Sequence, residues 1–143
     1  MNIIGHGIAI VNVRFVKEFV EQMGACIEWQ CLTAAEHDTS EFRTNRIQYL
    51  ASRLAAKKAV FKAIDRDGEQ PTLWREIEIQ RLPTGEPSVM LYANCQEIAA
   101  KLGVAKWLLS ISHTPSYATA SAIALRAIVE PIALDDQTIE QSK

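Results

Sequence analysis

The chain has 143 residues, of which 48 % are hydrophobic, so it holds enough apolar material for the core of one domain. This composition excludes an intrinsically disordered chain, and the low content of glycine (6) and proline (5) excludes a collagen-like or low-complexity one. With 15 basic and 17 acidic residues the formal net charge is −2, which gives no reason to expect a nucleic-acid partner.

The first part of the chain predicts a strand and two helices. Residues 3–11 combine glycine, histidine and small apolar residues, as a buried strand does. Asn12 is a typical N-cap for the helix that follows, and Gly24 is a typical residue to end it. The segment Thr33–Glu36 has the spacing of a capping box, which predicts a short second helix.

The longest helix is predicted over residues 42–64. Its apolar stripe is formed by Ile47, Leu50, Leu54 and Phe61. Residues 65–71 have the composition of a loop, which ends this helix.

The second half of the chain predicts strands at 74–82 and 88–92 in a hairpin, and a helix at 94–102 closed by a glycine. Two more strands are predicted at 107–112 and 117–129. Mixed helices and hairpin-forming strands indicate the α+β class. We expect one domain over residues 1–130, followed by a polar tail over residues 131–143.

The cysteines and the apolar runs indicate the compartment. Cys26, Cys31 and Cys95 cannot all pair within the chain, and no second Cys/His pair completes a zinc site. We interpret them as reduced thiols, which suit a reducing cytosol. No stretch approaches the length of a membrane span, and no charged segment typical of a signal peptide precedes the first apolar run. We expect a soluble, cytoplasmic protein with no membrane partner.

Four cations lie within ten residues of the long predicted helix: Arg53, Lys57, Lys58 and Lys62. No acidic residue lies between positions 53 and 64, and like charges one helical turn apart repel by a few tenths of a kcal/mol. The helix is rich in alanine there, which suits close approach by another element or a ligand. A phosphate or pyrophosphate would satisfy the cluster, and the alternative is a solvated basic face.

His113 is the second candidate for chemistry. It follows a predicted strand and precedes a Thr-Pro turn. Its imidazole could bind a ligand or transfer a proton, and the alternative is a hydrogen-bonded histidine of the turn. His6 lies between two glycines in the first strand, where a structural role is the favoured interpretation.

Five segments resemble, in order, the landmarks of the holo-acyl-carrier-protein synthases. Residues 4–11 resemble the opening strand of that family, usually G-x-G-x-D-[IL]. Residues 50–63 resemble its signature helix, usually A-x-R-x-A-x-K-E-A-x-x-K-A. Later landmarks match at residues 74–79, 85–87 and 109–113. The resemblance covers roughly residues 3–128.

The resemblance implies the fold of the small 4′-phosphopantetheinyl transferases, with a long central helix packed on a mostly antiparallel sheet. It also implies a homotrimer with active sites between adjacent subunits. The implied reaction transfers the phosphopantetheine arm of coenzyme A to a serine of acyl carrier protein, as in fatty acid biosynthesis. The family uses magnesium, held mainly by the aspartate of the first strand and the glutamate of the signature helix, because this hard cation prefers oxygen ligands.

Both metal-ligand positions differ in this sequence. Ala9 stands in place of the aspartate, and Lys58 in place of the glutamate. A divalent cation would be repelled by Lys58, so we expect no metal ligands here and no bound magnesium.

Other positions of the family site are retained. The matches to positions that contact coenzyme A or line the site are Arg53, Lys57, Lys62 and His113. Lys58, Lys62 and His113 are the candidate catalytic residues. On the first helix, Arg14 and Lys17 are the candidates for binding the carrier protein, although they are mixed with glutamates.

Three interpretations remain open at this point. The favoured one is a diverged family member that binds coenzyme A, a related anion or a carrier partner but is impaired in transfer. The second is a working transferase in which Lys58 replaces part of the charge of the metal. The third is a structural or regulatory subunit.

Overall fold

The computed structural model describes residues 2–24, 26–65 and 74–128, which form an α+β fold. The first half contains strand β1 (Ile3–Asn12) and the helices α1 (Val13–Met23), α2 (Cys26–Cys31), α3 (Ala34–His37), α4 (Ser40–Thr44) and α5 (Arg46–Ile64). The second half contains a 3₁₀ turn (Trp74–Glu76), strands β2 (Ile77–Arg81) and β3 (Pro87–Leu91), helix α6 (Ala93–Leu102), and strands β4 (Val104–His113) and β5 (Tyr117–Arg126). None of the described helices is long and apolar enough to cross a membrane.

The strands form two antiparallel sheets. The larger has the order β1-β5-β4, and β2 pairs with β3 in a separate hairpin. In the larger sheet Gly7 lies opposite Ala122, and Ala9 lies opposite Ala120. The expected α+β architecture with a mostly antiparallel sheet is therefore confirmed.

Helix α5 packs on β1 and β5 through residues with small side chains. A Cβ atom on Gly7 would lie 2.0 Å from the carbonyl oxygen of Ala59, and one on Gly5 would lie 1.8 Å from that of Ala63. The buried alanines of the sheet are Ala9, Ala118, Ala120, Ala122 and Ala124. The helix backbone thus rests almost directly on the strand, which fixes the position of every side chain that α5 carries.

We expect Gly7→Ala to lower the free energy of unfolding by about 1–3 kcal/mol, because the added methyl group cannot fit without moving the helix. Urea denaturation monitored by circular dichroism measures the change. His6→Ala is the matched control, since His6 is exposed on the same strand and its side chain has one polar contact among the described residues, with Ser121 at 3.5 Å. Equal midpoints for the two variants would contradict the close packing described above.

The helix caps agree with the sequence predictions. The Asn12 side chain accepts hydrogen bonds from the backbone of Arg14 and Phe15 at the start of α1. Thr33 and Glu36 form both hydrogen bonds of a capping box around α3. Gly103 ends α6 with φ 84°, the left-handed conformation that glycine adopts without strain.

The predicted helix over residues 42–64 is interrupted. The chain leaves the helical conformation at Asn45 (φ −147°, ψ 80°), so α4 and α5 are separate helices. The single apolar stripe expected on this helix is also wrong, because 13 of the 19 residues of α5 are buried. Because other elements cover most sides of α5, its buried residues are not confined to one stripe.

Three further differences concern the bounds of elements. Helix α2 was not predicted, and the predicted strand 74–82 begins with a 3₁₀ turn before β2. The predicted strand 117–129 ends earlier, at Arg126, whereas the predicted loop beyond Asp65 and the tail 131–143 lie outside the described residues. The division into a domain and a tail therefore stays a prediction.

Candidate functional site

A cleft of about 630 Å³ lies beside helices α4 and α5 and the end of β4. We call it the Arg53 cleft and define it by Arg53, Arg81, Glu41, Gln48 and His113. These residues come from α4, α5, β2 and β4, so the fold gathers them from positions up to 72 residues apart. Two of the predicted site residues, Arg53 and His113, therefore line one cavity.

The guanidinium of Arg53 is buried but only loosely held. The residue is 4 % exposed, and its guanidinium carbon lies 4.5 Å from the centre of the Tyr49 ring. Its Nη2 lies 3.8 Å from the carboxylate of Glu41, which pairs more closely, at 3.1 Å, with Arg81. The Arg53 Nε has no hydrogen-bond partner among the described residues. One carboxylate thus serves two arginines, which leaves the cleft with an excess positive charge and an unused donor.

His113 is oriented by Gln48. The Gln48 Nε2 lies 2.9 Å from His113 Nδ1 and donates to the carbonyl oxygen of Thr114 at 3.1 Å. With the amide so oriented, Nδ1 accepts the hydrogen bond and the neutral ring carries its proton on Nε2. His113 can therefore offer a hydrogen-bond donor to a ligand in the cleft.

Lys57 lies in the core. It is fully buried and donates to Glu36 Oε1 (2.6 Å) and to the carbonyl oxygens of Cys31 (2.6 Å) and Trp74 (3.0 Å). Burial lowers the pKa of Lys57, while the carboxylate of Glu36 acts in the opposite direction. All three ammonium protons are used within the protein, so none is left for a phosphate.

Glu36 and a second buried carboxylate extend this polar network. Glu36 also accepts from the backbone N–H of Thr33 (2.9 Å) and Ile79 (3.0 Å). The Thr33 hydroxyl donates to Glu78 at 2.6 Å, and Tyr92 and Gln80 donate to the other oxygen of Glu78. The network joins α3, α5 and β2 and therefore stabilises the fold.

Lys58 and Lys62 are both exposed on α5, one turn apart, but their surroundings differ. Lys62 Nζ donates to the carbonyl oxygen of Ile8 at 2.9 Å. Lys58 lines a second cavity of about 460 Å³ between α1, β1 and α5. We call it the Lys58 groove and define it by Lys58, Asn12, Gln30, Ile10, Phe15 and Leu54. The four helix cations therefore do not converge within one chain.

The residues at the two family metal positions do not fit a divalent cation. Ala9 offers only a methyl group, and it is 3 % exposed. The side chain at the other position is an ammonium, and the described residues that line the Lys58 groove include no carboxylate. Within the described ranges, no three His, Cys, Asp or Glu side chains are grouped so that they could hold a metal ion. This part of the chain supplies no ligand set for magnesium.

The candidates for carrier binding are exposed on α1. Arg14 pairs with Glu18 at 3.3 Å, and Lys17 is exposed nearby. The same helix exposes Phe15, Phe19 and Met23 at one-turn intervals. The exposed surface of α1 therefore combines an apolar stripe with charged residues of both signs.

Sequence reasoning missed Arg81 and Gln48. Gln48 lies five residues before Arg53 on α5, a spacing that turns the two side chains about 140° apart around an ideal helix, so helical periodicity gave no signal that they line one cleft. Arg81 ends a strand far along the chain, and no local pattern links it to Arg53.

The model of the 4′-phosphopantetheinyl transferase superfamily matches residues 5–122. The chain belongs to this superfamily. The holo-[acyl-carrier-protein] synthase of Desulforudis audaxviator is 36 % identical over 123 residues, which are 86 % of this chain and 93 % of that protein. The predicted resemblance to the holo-acyl-carrier-protein synthases is thereby confirmed.

Solved structures of the family agree with the fold. The crystal structure of holo-ACP synthase from Plasmodium yoelii superposes with a TM-score of 0.77 at 28 % identity, covering 89 % of this chain and 98 % of that one. The ACPS–CoA complex from Chronobacterium ammoniagenes gives a TM-score of 0.70 at 27 % identity, covering 90 % of this chain and all of that one (100 %). The phosphopantetheinyl transferase fold is therefore present over most of the chain.

Proposed function

We propose that this chain is a coenzyme A-binding member of the holo-acyl-carrier-protein synthase family that is impaired in phosphopantetheine transfer. The observation that carries the proposal is the buried guanidinium of Arg53, whose Nε has no partner among the described residues in a cleft with excess positive charge. An unpartnered buried donor is costly, and an anionic ligand removes that cost.

The chemistry of the cleft suits a phosphate monoester. A guanidinium presents its N–H groups as a planar fork that matches two phosphate oxygens. Arg81 adds a second positive charge, and His113 adds an N–H donor from another strand. A related ACPS forms a complex with CoA, which supports coenzyme A as the ligand. Lys57 is left out of this proposal because its protons are already used.

We further propose that the full site draws on more than one copy of the chain, in a homotrimer. Within one chain Arg53 and His113 line one cavity, while Lys58 lines another. The outer face of the larger sheet leaves apolar side chains uncovered, with Ile8 55 % and Ile10 66 % exposed. Burial of such a face against a second copy would remove this apolar surface from water.

The proposed impairment follows from Ala9 and Lys58, which supply no carboxylate for magnesium. Acyl carrier protein is the proposed partner, because the relatives are named as holo-[acyl-carrier-protein] synthases. The exposed Lys58 supports a second candidate, a transferase in which the ammonium supplies part of the charge of the metal. An ammonium can stabilise phosphate charge, but it cannot bridge and orient two phosphates.

Calorimetry tests the proposed ligand. We expect the protein to bind coenzyme A saturably and Arg53→Gln to weaken binding by about 1.5–3 kcal/mol, as for the loss of a hydrogen bond to a charged group. Arg43→Gln is the matched control, because Arg43 is an exposed arginine paired with Asp38 outside the cleft.

Thermal melting of both variants separates loss of binding from loss of folding. Sedimentation of the same samples gives the mass of the assembly. If the protein is a monomer and still binds coenzyme A, the site does not need a second copy of the chain, and the homotrimer proposal fails. Wild-type affinity in a folded Arg53→Gln protein would contradict the phosphate site in the cleft.

A further inference from the structure

Lys58 differs from the other cations of α5, because no described residue pairs with its side chain. Arg53 lies against Tyr49 and near Glu41, Lys57 is held by Glu36, and Lys62 donates to a carbonyl oxygen. Over residues 2–24, 26–65 and 74–128, Lys58 makes no hydrogen bond and no ion pair that would balance its charge. Its ammonium is thus available to an external anion.

Most of the side chains that line the groove with Lys58 are apolar. Of the fourteen described residues that line the Lys58 groove, ten are aliphatic or aromatic, and Lys58 is the only one among them with a charge. The lining also includes the amides of Asn12 and Gln30, and the Asn12 oxygen already caps α1. These walls offer an anion few other polar partners, so the charge of Lys58 is the main electrostatic interaction in the groove, attractive for an anion and repulsive for a cation.

We propose that the Lys58 groove takes a phosphate group of the ligand without a divalent cation, and that magnesium opposes this binding. The inference rests on the proposed function, because it concerns the same ligand. Magnesium chelated by a diphosphate neutralises the negative charge that Lys58 attracts. It also brings a second cation towards an ammonium in a groove whose described lining holds no carboxylate. Magnesium therefore weakens binding of the phosphate here, whereas it strengthens binding at a site lined by carboxylates.

Isothermal titration calorimetry with coenzyme A, in EDTA and in excess magnesium at equal ionic strength, tests this sign. Equal ionic strength is required because salt alone screens exposed ionic contacts. We expect the wild-type Kd to be at least about threefold higher with magnesium. Lys58→Gln should remove this difference and raise the Kd in EDTA by about tenfold, since a charge-assisted contact is lost. Lys101→Gln is the matched control, because Lys101 is exposed on α6 outside both cavities.

The outcomes separate this inference from the proposed function. Coenzyme A binding that is equal or tighter with magnesium overturns the inference and leaves the proposed ligand in place. If coenzyme A binds in neither buffer, the proposed function fails, and inorganic pyrophosphate then serves as the probe. Saturable binding of pyrophosphate in EDTA that Lys58→Gln weakens would support the metal-free site. Absence of pyrophosphate binding would overturn it.

Discussion

Replacing Lys57 with methionine is expected to lower the free energy of unfolding by about 3–5 kcal/mol, the range found when one partner of a buried ion pair is removed. The substitution leaves the Glu36 carboxylate buried without its cation. It also removes the hydrogen bonds that Lys57 donates to the carbonyl oxygens of Cys31 and Trp74. Urea denaturation measures the loss. Lys101→Met, at an exposed lysine, should change stability by less than about 0.5 kcal/mol.

A double variant distinguishes this ion pair from simple loss of packing. Lys57→Met combined with Glu36→Gln removes both charges, so we expect it to be more stable than Lys57→Met alone. If Lys57→Met is instead as stable as Lys101→Met, the ammonium is not paired in the core. Lys57 would then be free for the phosphate role that the sequence suggested.

The second large effect is expected from restoring both family carboxylates. In Ala9→Asp/Lys58→Glu, we expect magnesium-dependent transfer of phosphopantetheine to an apo carrier protein to rise at least about 100-fold above wild type. A factor of this size corresponds to about 2.7 kcal/mol of transition-state stabilisation, within what a metal ion can supply. Mass spectrometry of the carrier protein after incubation with coenzyme A measures the transfer.

Ala9→Asp/Lys58→Gln is the matched control, because it restores one carboxylate and removes the ammonium. It should stay near the wild-type rate. Since Ala9 is buried, circular dichroism must first show that each variant is folded. Rapid transfer by the wild type in EDTA would contradict the proposed impairment and favour the second candidate, in which Lys58 acts in place of the metal.

Local patterns predicted the local structure well. The N-cap at Asn12, the capping box at Thr33 and the glycine that ends α6 all depend on residues within a few positions of each other. The family motif placed the long helix and the sheet correctly for the same reason, since it is a set of short segments in order. The break at Asn45 lay outside those segments and carried no strong helix-breaking residue.

The role of Lys57 could not be predicted because its partner is distant along the chain. The absence of acids between positions 53 and 64 suggested an unrelieved cation cluster, but Glu36 reaches Lys57 from α3, 21 residues away. The pairing of Glu41 with Arg81 is likewise long-range. That Arg53 and Lys58 line different cavities depends on which sides of α5 the neighbouring elements cover, which spacing along the helix does not reveal.

The close packing of glycine and alanine between α5 and β1 affects which substitutions the exposed face of α5 accepts. Contact between helix backbone and strand sets the helix in place, so the exposed side chain at position 58 bears no part of the packing. Glutamate and lysine codons differ by one base, and an exchange between them there inverts a charge at little structural cost. The charge offered to a ligand at this position can thus change while the protein stays folded, and abundance in the cell gives no indication of which charge is present.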